Sequence, residues 1–420
     1  MDTTPSSRHH PFPVKLFNWV ARSLNAVGLA KIDLSETALL AAARRATGLN
    51  RFGDESFLSP LRTLLKSLEQ AQPPLNPFGR FHAKSGIVAS LKNRLLAQAC
   101  FEKHPEIRQR KIVAPIIIVG PARSGTTRLQ RMLAADSRLQ HLKAWEGFNP
   151  GPHIAKPDLG RAERHEEVKR FLGVGKRINP GAFRVHPMES EEADEEILLL
   201  NHSFCGLSPA CLYNIPGYTD WLLAHDKTDA YRYMADLMKL ISWSRGDAED
   251  TRWVMKTPQH MMDLDVLMKV FPDARLVFIH RDPIKTVLST MSLVWNFSVL
   301  NTDFPCRGPI GERWLDVCEE MARRCMKARE AIPAAQQIDV YYEQMNSNWR
   351  AVIQQIYGFI GMPLTPGAEH AMANWLAKSE SDNHHSGHRY SHDEFGISID
   401  EIDKRMRFFR DRYAIPYEGG

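Results

Sequence analysis

Apolar residues in the first quarter of the chain recur at the spacing of amphipathic helices. They do so in three segments: 39–43, 61–68 and 87–104. No run in this part has the β-branched content of a strand. Residues 1–110 are therefore predicted to form a helical region that packs on the remainder, 111–420.

Short, continuous apolar runs replace this helical pattern after residue 111. The first run, at 114–119, is β-branched and ends at Gly120, which is typical of a buried parallel strand. Three further runs have a similar character: 253–255, 274–280 and 338–341. Helical patterns follow the runs, at 126–135, 260–271, 284–293 and 344–360. This alternation predicts an α/β fold, a three-layer sandwich with a parallel central sheet.

Two other segments extend this plan. Residues 149–250 lie between the first two predicted strands, contain several Pro and Gly breaks, and are predicted as a mostly helical insertion. Within it, the acid run at 189–196 precedes four apolar residues, and we interpret it as complementing a helix dipole, without a chemical role. Residues 383–420 are predicted as a loop followed by a final helix. The role of the His-rich segment 384–392 stays open.

Charge and hydropathy narrow the classes of function. The chain has 54 Lys and Arg against 49 Asp and Glu, a net charge of +5. That excess is too small and too scattered to indicate nucleic-acid binding, but it suits an anionic small ligand. No stretch approaches the roughly 18 apolar residues of a membrane span. We therefore predict a cytoplasmic protein with no transmembrane segment, for which peripheral membrane contact stays open. No metal-ligand spacing is present.

The strongest local motif is GPARSGTT at 120–127, which follows the first predicted strand and opens a helix. Its glycines, Gly125 among them, permit a tight turn whose N–H groups converge on an anion, and Thr126 and Thr127 add hydroxyl donors. The GxxxxG spacing is P-loop-like, but Thr126 stands where a nucleoside-triphosphate loop has Lys. Arg123 supplies a cation beside Ser124 instead. This favours a 5′-phosphate with a single attached group over a Mg²⁺-bound triphosphate.

A second anion site is indicated at the end of the third predicted strand. Arg281 follows that strand, and Ser289 lies two turns into the helix that Pro283 opens. From these positions the two side chains are expected to hold a second phosphate from two sides.

Together, these motifs resemble those of the PAPS-dependent sulfotransferases, where PAPS is 3′-phosphoadenosine 5′-phosphosulfate. PARSGTT resembles the family's 5′-phosphosulfate loop and FIHRDPIKTVLS its 3′-phosphate segment, while MKTP and VYYEQM resemble two more segments in the family's order. The Trp145-Glu146 pair is closer to the bacterial and tyrosylprotein-type branch. The resemblance implies transfer of sulfonate from PAPS to a hydroxyl of a small-molecule or lipid-like acceptor, without a metal.

The resemblance also implies roles for single residues. Arg123 and Lys256 are expected to place positive charge beside the departing oxygen, where negative charge develops during the transfer. Tyr342 is expected near the adenine. Arg389, within SGHRYS at 386–391, is expected to close over the 3′-phosphate.

The general base is the least determined of these roles. Glu146 lies close to the position where the tyrosylprotein-type branch has its glutamate, and it is the preferred base. The cytosolic branch has its histidine two residues after the lysine, where this chain has Pro258. His260, four residues after Lys256, is therefore the second choice. A buried structural carboxylate paired with an arginine is the alternative interpretation of Glu146.

Two other functions stay open from the residues alone. A P-loop kinase or NTPase-like phosphotransferase would need a Lys at position 126 and a strand-end Asp for Mg²⁺. A non-catalytic nucleotide-binding protein would bind the nucleotide without transfer. The sequence determines neither the acceptor nor the oligomeric state.

Overall fold

A parallel five-stranded sheet forms the centre of the molecule, seen in a computed structural model that describes residues 10–29, 31–156, 158–381 and 392–418. The strands are β1 (Ile116–Val119), β2 (Leu139–His141), β3 (Arg252–Lys256), β4 (Arg275–His280) and β5 (Gln337–Tyr341). Their order across the sheet is β2-β3-β1-β4-β5, and all neighbouring strands are parallel. The predicted α/β class with a parallel sheet is confirmed. β2 was missed because Gln140 and His141 interrupt any apolar pattern.

Both faces of the sheet are covered by helices, which makes three layers. Ile117 and Val119 of β1 pack into the larger hydrophobic core, on the side of the N-terminal helices and the insertion. Ile116 and Ile118 pack into a second core with Leu133 and other helical residues. Successive strand residues point to opposite faces, so a strand buried on both sides needs a continuous apolar run.

The helices on and around the sheet fall into three groups along the chain. Before the sheet lie α1 (Phe12–Ala26), α2 (Glu36–Thr47), α3 (Leu58–Glu69), α4 (Pro77–Lys103) and α5 (Glu106–Gln109). Between β1 and β3 lie α6 (Thr126–Ala134), α7 (Ala144–Phe148), α8 (Arg161–Ile178), α9 (Pro180–Val185), α10 (Ile197–Leu200), α11 (Ser208–Tyr213), α12 (Pro216–Ala224) and α13 (Thr228–Arg245). After β3 lie α14 (Leu264–Val270), α15 (Pro283–Ser298), α16 (Arg307–Arg329), α17 (Tyr342–Ser347), α18 (Trp349–Ile360), α19 (Pro366–Ser381) and α20 (Ile399–Arg412). Among the described residues, no helix has the length and apolar character needed to cross a membrane.

Two helices predicted as continuous are each interrupted. The segment 260–271 begins as a 3₁₀ turn, Pro258–Met261, and α14 starts only at Leu264. The side chain of Asp263, just before α14, does not cap this helix; its buried carboxylate pairs with Lys227 at 2.8 Å. The segment 344–360 breaks at Asn348, whose side chain accepts from the N–H of Ala351 at 3.2 Å. Asn prefers the N-cap to the helix interior, so it starts α18 as a separate helix.

Candidate active site

The loop between β1 and α6 has the backbone of an anion-binding turn. Gly125 adopts φ +92°, and a Cβ at this position would lie 2.8 Å from the ring of Tyr342. Arg123 is also left-handed at φ +70°, a strained conformation for a residue with a side chain. Left-handed residues in such a turn make successive N–H groups converge. Ser124 is buried and its hydroxyl donates to the carbonyl of Pro121 at 2.7 Å, so it stabilises the loop.

The two predicted anion sites adjoin each other. Arg123 Nε donates to Ser289 Oγ at 3.1 Å, and Arg281 Nη1 donates to the backbone carbonyl of Arg123 at 2.7 Å. The Arg281 guanidinium also lies 3.9 Å from the centroid of the Tyr342 ring. Tyr342 also packs against Gly125, so one aromatic ring contacts both the loop and the second cation. The structure thus brings together the loop, both arginines, Ser289 and Tyr342.

The second of these cations, Arg281, is bound to the carboxylate of Glu418. Glu418 accepts two hydrogen bonds from Arg281, at 2.7 and 2.9 Å, and its own N–H donates to Asp282 Oδ2 at 2.8 Å. The fork of a guanidinium binds carboxylate and phosphate oxygens with the same geometry. Glu418 therefore occupies a place that a ligand phosphate would need.

Lys256, at the end of β3, is almost wholly buried, next to Thr127 and Glu195. Its Nζ donates to Thr127 Oγ1 at 3.1 Å and to Glu195 Oε1 at 2.5 Å, and Thr257 donates to the other oxygen of Glu195 at 3.2 Å. Burial works to raise the pKa of Glu195, but Lys256, His186 and Thr257 outweigh it and the pKa is lowered. Lys256 and Glu195 therefore form an ion pair beside the first turn of α6.

The position of Glu195 corrects our interpretation of the acid run at 189–196. The helix after it, α10, has only one turn, too short to carry much of a dipole. Instead, the residues before Glu195 run alongside 142–145: the N–H of Trp145 donates to Ser190, and the N–H of Asp194 donates to Leu142. This pairing carries Glu195 to the end of β3. The acid run was visible in the sequence, but the pairing of Glu195 with Lys256 was not.

His186 is a further titratable group of the site that the sequence did not single out. It is half-buried and directly follows Val185, whose carbonyl accepts from Arg123 Nη1 at 2.7 Å. Burial lowers its pKa below 6.5; Glu195 and Asp194 oppose this, whereas Lys256 and Arg123 add to it. At neutral pH the ring is therefore an uncharged imidazole with a nitrogen able to accept a proton.

His260, the second choice for the base, lies in the core and not at the site. Its ring is fully buried, Nδ1 is 3.0 Å from the hydroxyl of Tyr231, and burial lowers its pKa to about 3. The sequence proximity to Lys256 was misleading because the 3₁₀ turn Pro258–Met261 directs His260 inward.

Glu146, the preferred base, also lies away from the residues just described. It is 2% exposed and forms a two-pronged ion pair with Arg245 of α13, one contact being 2.7 Å from Arg245 Nε. Glu146 Oε2 also accepts a hydrogen bond from the N–H of Lys143 at 3.1 Å, which caps the start of α7. This geometry matches the structural interpretation, so we no longer assign Glu146 a role as base.

Glu146→Gln is expected to lower the free energy of unfolding by about 3 kcal/mol, since it leaves the buried Arg245 guanidinium with only the more distant carboxylate of Asp247, at 3.5 Å. Urea unfolding followed by circular dichroism measures the loss. Turnover per folded molecule should stay near that of the wild type. A variant of unchanged stability that loses most of its turnover would restore Glu146 as the base.

One large cavity, about 1360 Å³, is lined by the loop, His186, Glu195 and Arg281, but not by Lys256, His260 or Glu146. On one side it is lined by polar residues of the site: Arg123, Thr126, Thr127, His186, Glu195 and Arg281. On the other it is lined mainly by apolar side chains, among them Phe148, Leu172, Phe183, Phe297, Trp314 and Met321. This volume exceeds the 300 to 1,000 Å³, roughly, of a site for one small ligand.

Two predicted features need separate statements. Arg389, with the segment 384–392 around it, lies outside the described residues except for the last position. In the ranges that are described, no group of three or more His, Cys, Asp or Glu side chains has a metal-binding arrangement.

Comparison with known proteins relates this chain to one protein family. Residues 115–366 match a family model described as "Sulfotransferase family". The chain is similar to the crystal structure of sulfotransferase STF1 from Mycobacterium tuberculosis H37Rv, with 29% identity, a TM-score of 0.74, and 88% of this chain and 98% of that one covered. It is similar to sulfotransferase STF9 from Mycobacterium avium at 25% identity and TM-score 0.79, covering 92% and 99%. A comparison with curated protein sequences gives no significant match.

Proposed function

This chain belongs to the sulfotransferase family, and from that premise we propose that its cleft transfers the sulfonate group of PAPS to the hydroxyl of a large apolar acceptor. A single observation supports the proposal most: the loop at 120–127 and the Arg281–Ser289 pair line the same cavity as the apolar wall. The phosphotransferase alternative is set aside by the family match, and the strand ends beside the loop, Lys256 and His280, carry no Asp for Mg²⁺.

The donor nucleotide is proposed to bind across the two adjoining anion sites. The N–H groups of the loop, with Thr126 and Thr127, hold the 5′-phosphosulfate at the N-terminus of α6. Arg281 and Ser289 hold the 3′-phosphate. Tyr342, which contacts both Gly125 and Arg281, offers its ring to the adenine. These residues fit the nucleotide because the anion sites adjoin and one ring contacts both.

The chemical step needs positive charge at the departing oxygen and a base at the acceptor. A bond forms between the acceptor oxygen and sulfur while the bond from sulfur to the bridging phosphate oxygen breaks, and PAP (adenosine 3′,5′-bisphosphate) leaves with that electron pair. Lys256 and Arg123 are proposed to stabilise the developing charge. We propose His186 as the base, because both oxygens of Glu195 are already engaged by Lys256 and Thr257.

The acceptor is proposed to be a lipid-like alcohol. Beyond the nucleotide, the wall of the cavity is mainly aromatic and aliphatic, with scattered polar residues such as Asn179, Asn201 and Gln259, and an acceptor gains affinity there by burying apolar surface. A polyhydroxylated sugar would leave most of its hydroxyl groups without hydrogen-bond partners against such a wall.

Incubation of the purified protein with radiolabelled PAPS and a cell lipid extract tests the function. We expect one or more labelled, organic-soluble products and release of PAP. A protein that binds PAP but labels no fraction, lipid or aqueous, would support the non-catalytic alternative. Label appearing only in water-soluble products would keep the transfer and contradict the lipid-like acceptor.

Glu418→Gln is expected to tighten PAP binding by roughly tenfold, because the ligand no longer displaces a carboxylate from Arg281. Isothermal titration calorimetry measures the affinity. Arg281→Ala is the matched comparison and should weaken binding, since it removes the charge-assisted hydrogen bonds themselves. Equal PAP affinity in the wild type and Glu418→Gln would show that the 3′-phosphate binds elsewhere.

A further inference from the structure

The mouth of the cavity is rimmed by apolar side chains that water reaches. Phe81 on α4 is 47% exposed, and Phe171 and Val174 on α8 are each 51% exposed. All three also line the cavity. A globular protein seldom leaves large apolar side chains clustered at a surface without a use for them.

Helix α1 continues this surface. Its Phe17 ring lies 5.3 Å from the ring of Phe81, and its Val14 packs in one cluster with Phe78 of α4 and Ile178 of α8. The other side of α1 is exposed and apolar along its whole length: Phe12, Leu16, Trp19, Val20 and Leu24, continued by Val27. We call this side of α1, together with Phe81, Phe171 and Val174, the cleft rim.

Cations lie among the apolar residues of the cleft rim. On the last turns of α8, Lys169 and Arg170 precede Phe171, and Lys176 and Arg177 follow Val174, with no acidic residue in this stretch. Lys169 and Lys176 have carboxylate partners, Glu166 and Glu189. Within the described ranges, Arg170, Arg177 and Lys15 of α1 take part in no ion pair.

We propose that the cleft rim docks on an anionic lipid bilayer and that the cavity takes its acceptor from that surface. This rests on the proposed function, which places a lipid-like alcohol in the cavity. Large apolar and aromatic side chains interspersed with Lys and Arg are the composition by which helices lie in a membrane interface. Docking there lets an apolar acceptor pass from lipid to the apolar wall without crossing water.

A second copy of the chain is the other occupant that such a surface suggests. In a twofold contact the same surface patch is used on both subunits, so two patches that each carry Arg170 and Arg177 would face each other. Like charges brought together in this way are unfavourable, whereas acidic head groups neutralise them.

Flotation with lipid vesicles tests the docking without any assay of transfer. The wild-type protein should float with vesicles containing phosphatidylglycerol, and less with phosphatidylcholine alone or at high ionic strength. Trp19→Asp and Phe171→Asp should each weaken the partitioning by roughly tenfold, since each removes one large side chain from the interface. Val113→Asp is the matched control. Val113 is apolar and exposed, but it precedes β1 and lies outside the cleft rim, so this variant should float like the wild type.

PAP binding by calorimetry should be the same in all these variants, which shows that each is folded and separates docking from the nucleotide site. Wild-type protein that stays at the bottom of the gradient with anionic vesicles would overturn the docking proposal. So would a dimer by light scattering that Phe171→Asp dissociates while vesicle binding is absent. Vesicle binding without any sulfonate transfer would instead count against the proposed function alone.

Discussion

Replacing His186 by Gln is expected to lower kcat for sulfonate transfer by roughly a hundredfold to ten-thousandfold, the usual contribution of a positioned general base. The imidazole is half-buried in the cavity wall next to Val185, which contacts Arg123. Gln keeps polarity and approximate size but cannot take the proton of the acceptor. PAP affinity should change little, so the loss belongs to the chemical step.

The dependence of the rate on pH distinguishes a base from a structural histidine. Burial lowers the pKa of His186 below 6.5, so the wild-type enzyme should keep its rate through neutral pH and lose it as pH falls through that lowered pKa. The acid limb should disappear in His186→Gln. His225→Gln is the control, since the pKa of His225 is also lowered by burial but its ring stacks on Trp221 outside the cavity. An acid limb retained in His186→Gln would exclude His186 as the base.

Replacing Lys256 by Met is expected to lower kcat by roughly a hundredfold to a thousandfold, because the transition state loses a preorganised positive charge beside the departing oxygen. Lys256 Nζ lies 3.1 Å from Thr127 Oγ1, on the first turn of α6 where the phosphosulfate is proposed to bind. Steady-state kinetics at saturating PAPS measure the effect.

Loss of stability could imitate that result, because Lys256→Met alone leaves Glu195 without its countercharge. The double variant Lys256→Met/Glu195→Gln removes both charges and should recover the stability of the wild type while its turnover stays low. If the double variant recovers turnover as well, the charge of Lys256 is needed for folding and not for the transfer.

The distribution of the charged pairs explains why the sequence could not decide between the two interpretations of Glu146. Glu146 and Arg245 are 99 residues apart in the chain, and no local pattern connects them. The sequence of a glutamate beside a tryptophan is the same whether the glutamate side chain faces a cavity or a buried guanidinium. Only the tertiary structure decides between the two, because it brings Arg245 at the end of α13 within reach of Glu146 and of the His141 carbonyl.

The parts of the site that depend on local backbone were visible in the sequence. Gly125 and its neighbours make a turn whose shape follows from a few φ angles, and the apolar run of β1 identifies the strand before it. The same holds for Arg281 and Ser289, which a strand end and the following helix present at a constant separation. These motifs sufficed for the α/β class and for the sulfotransferase family.

The amino-acid sequence by itself determined four of the five strands, the anion-binding loop, the second cation and the family, since each depends on a short stretch of consecutive residues. The tertiary structure alone decided that Glu195 pairs with Lys256 and that His186 lines the cavity. It also decided that Glu418 binds Arg281, which is 137 residues away in the sequence. These contacts join segments far apart in sequence. Whether they form depends on how the whole chain packs, and a local pattern carries no record of that packing.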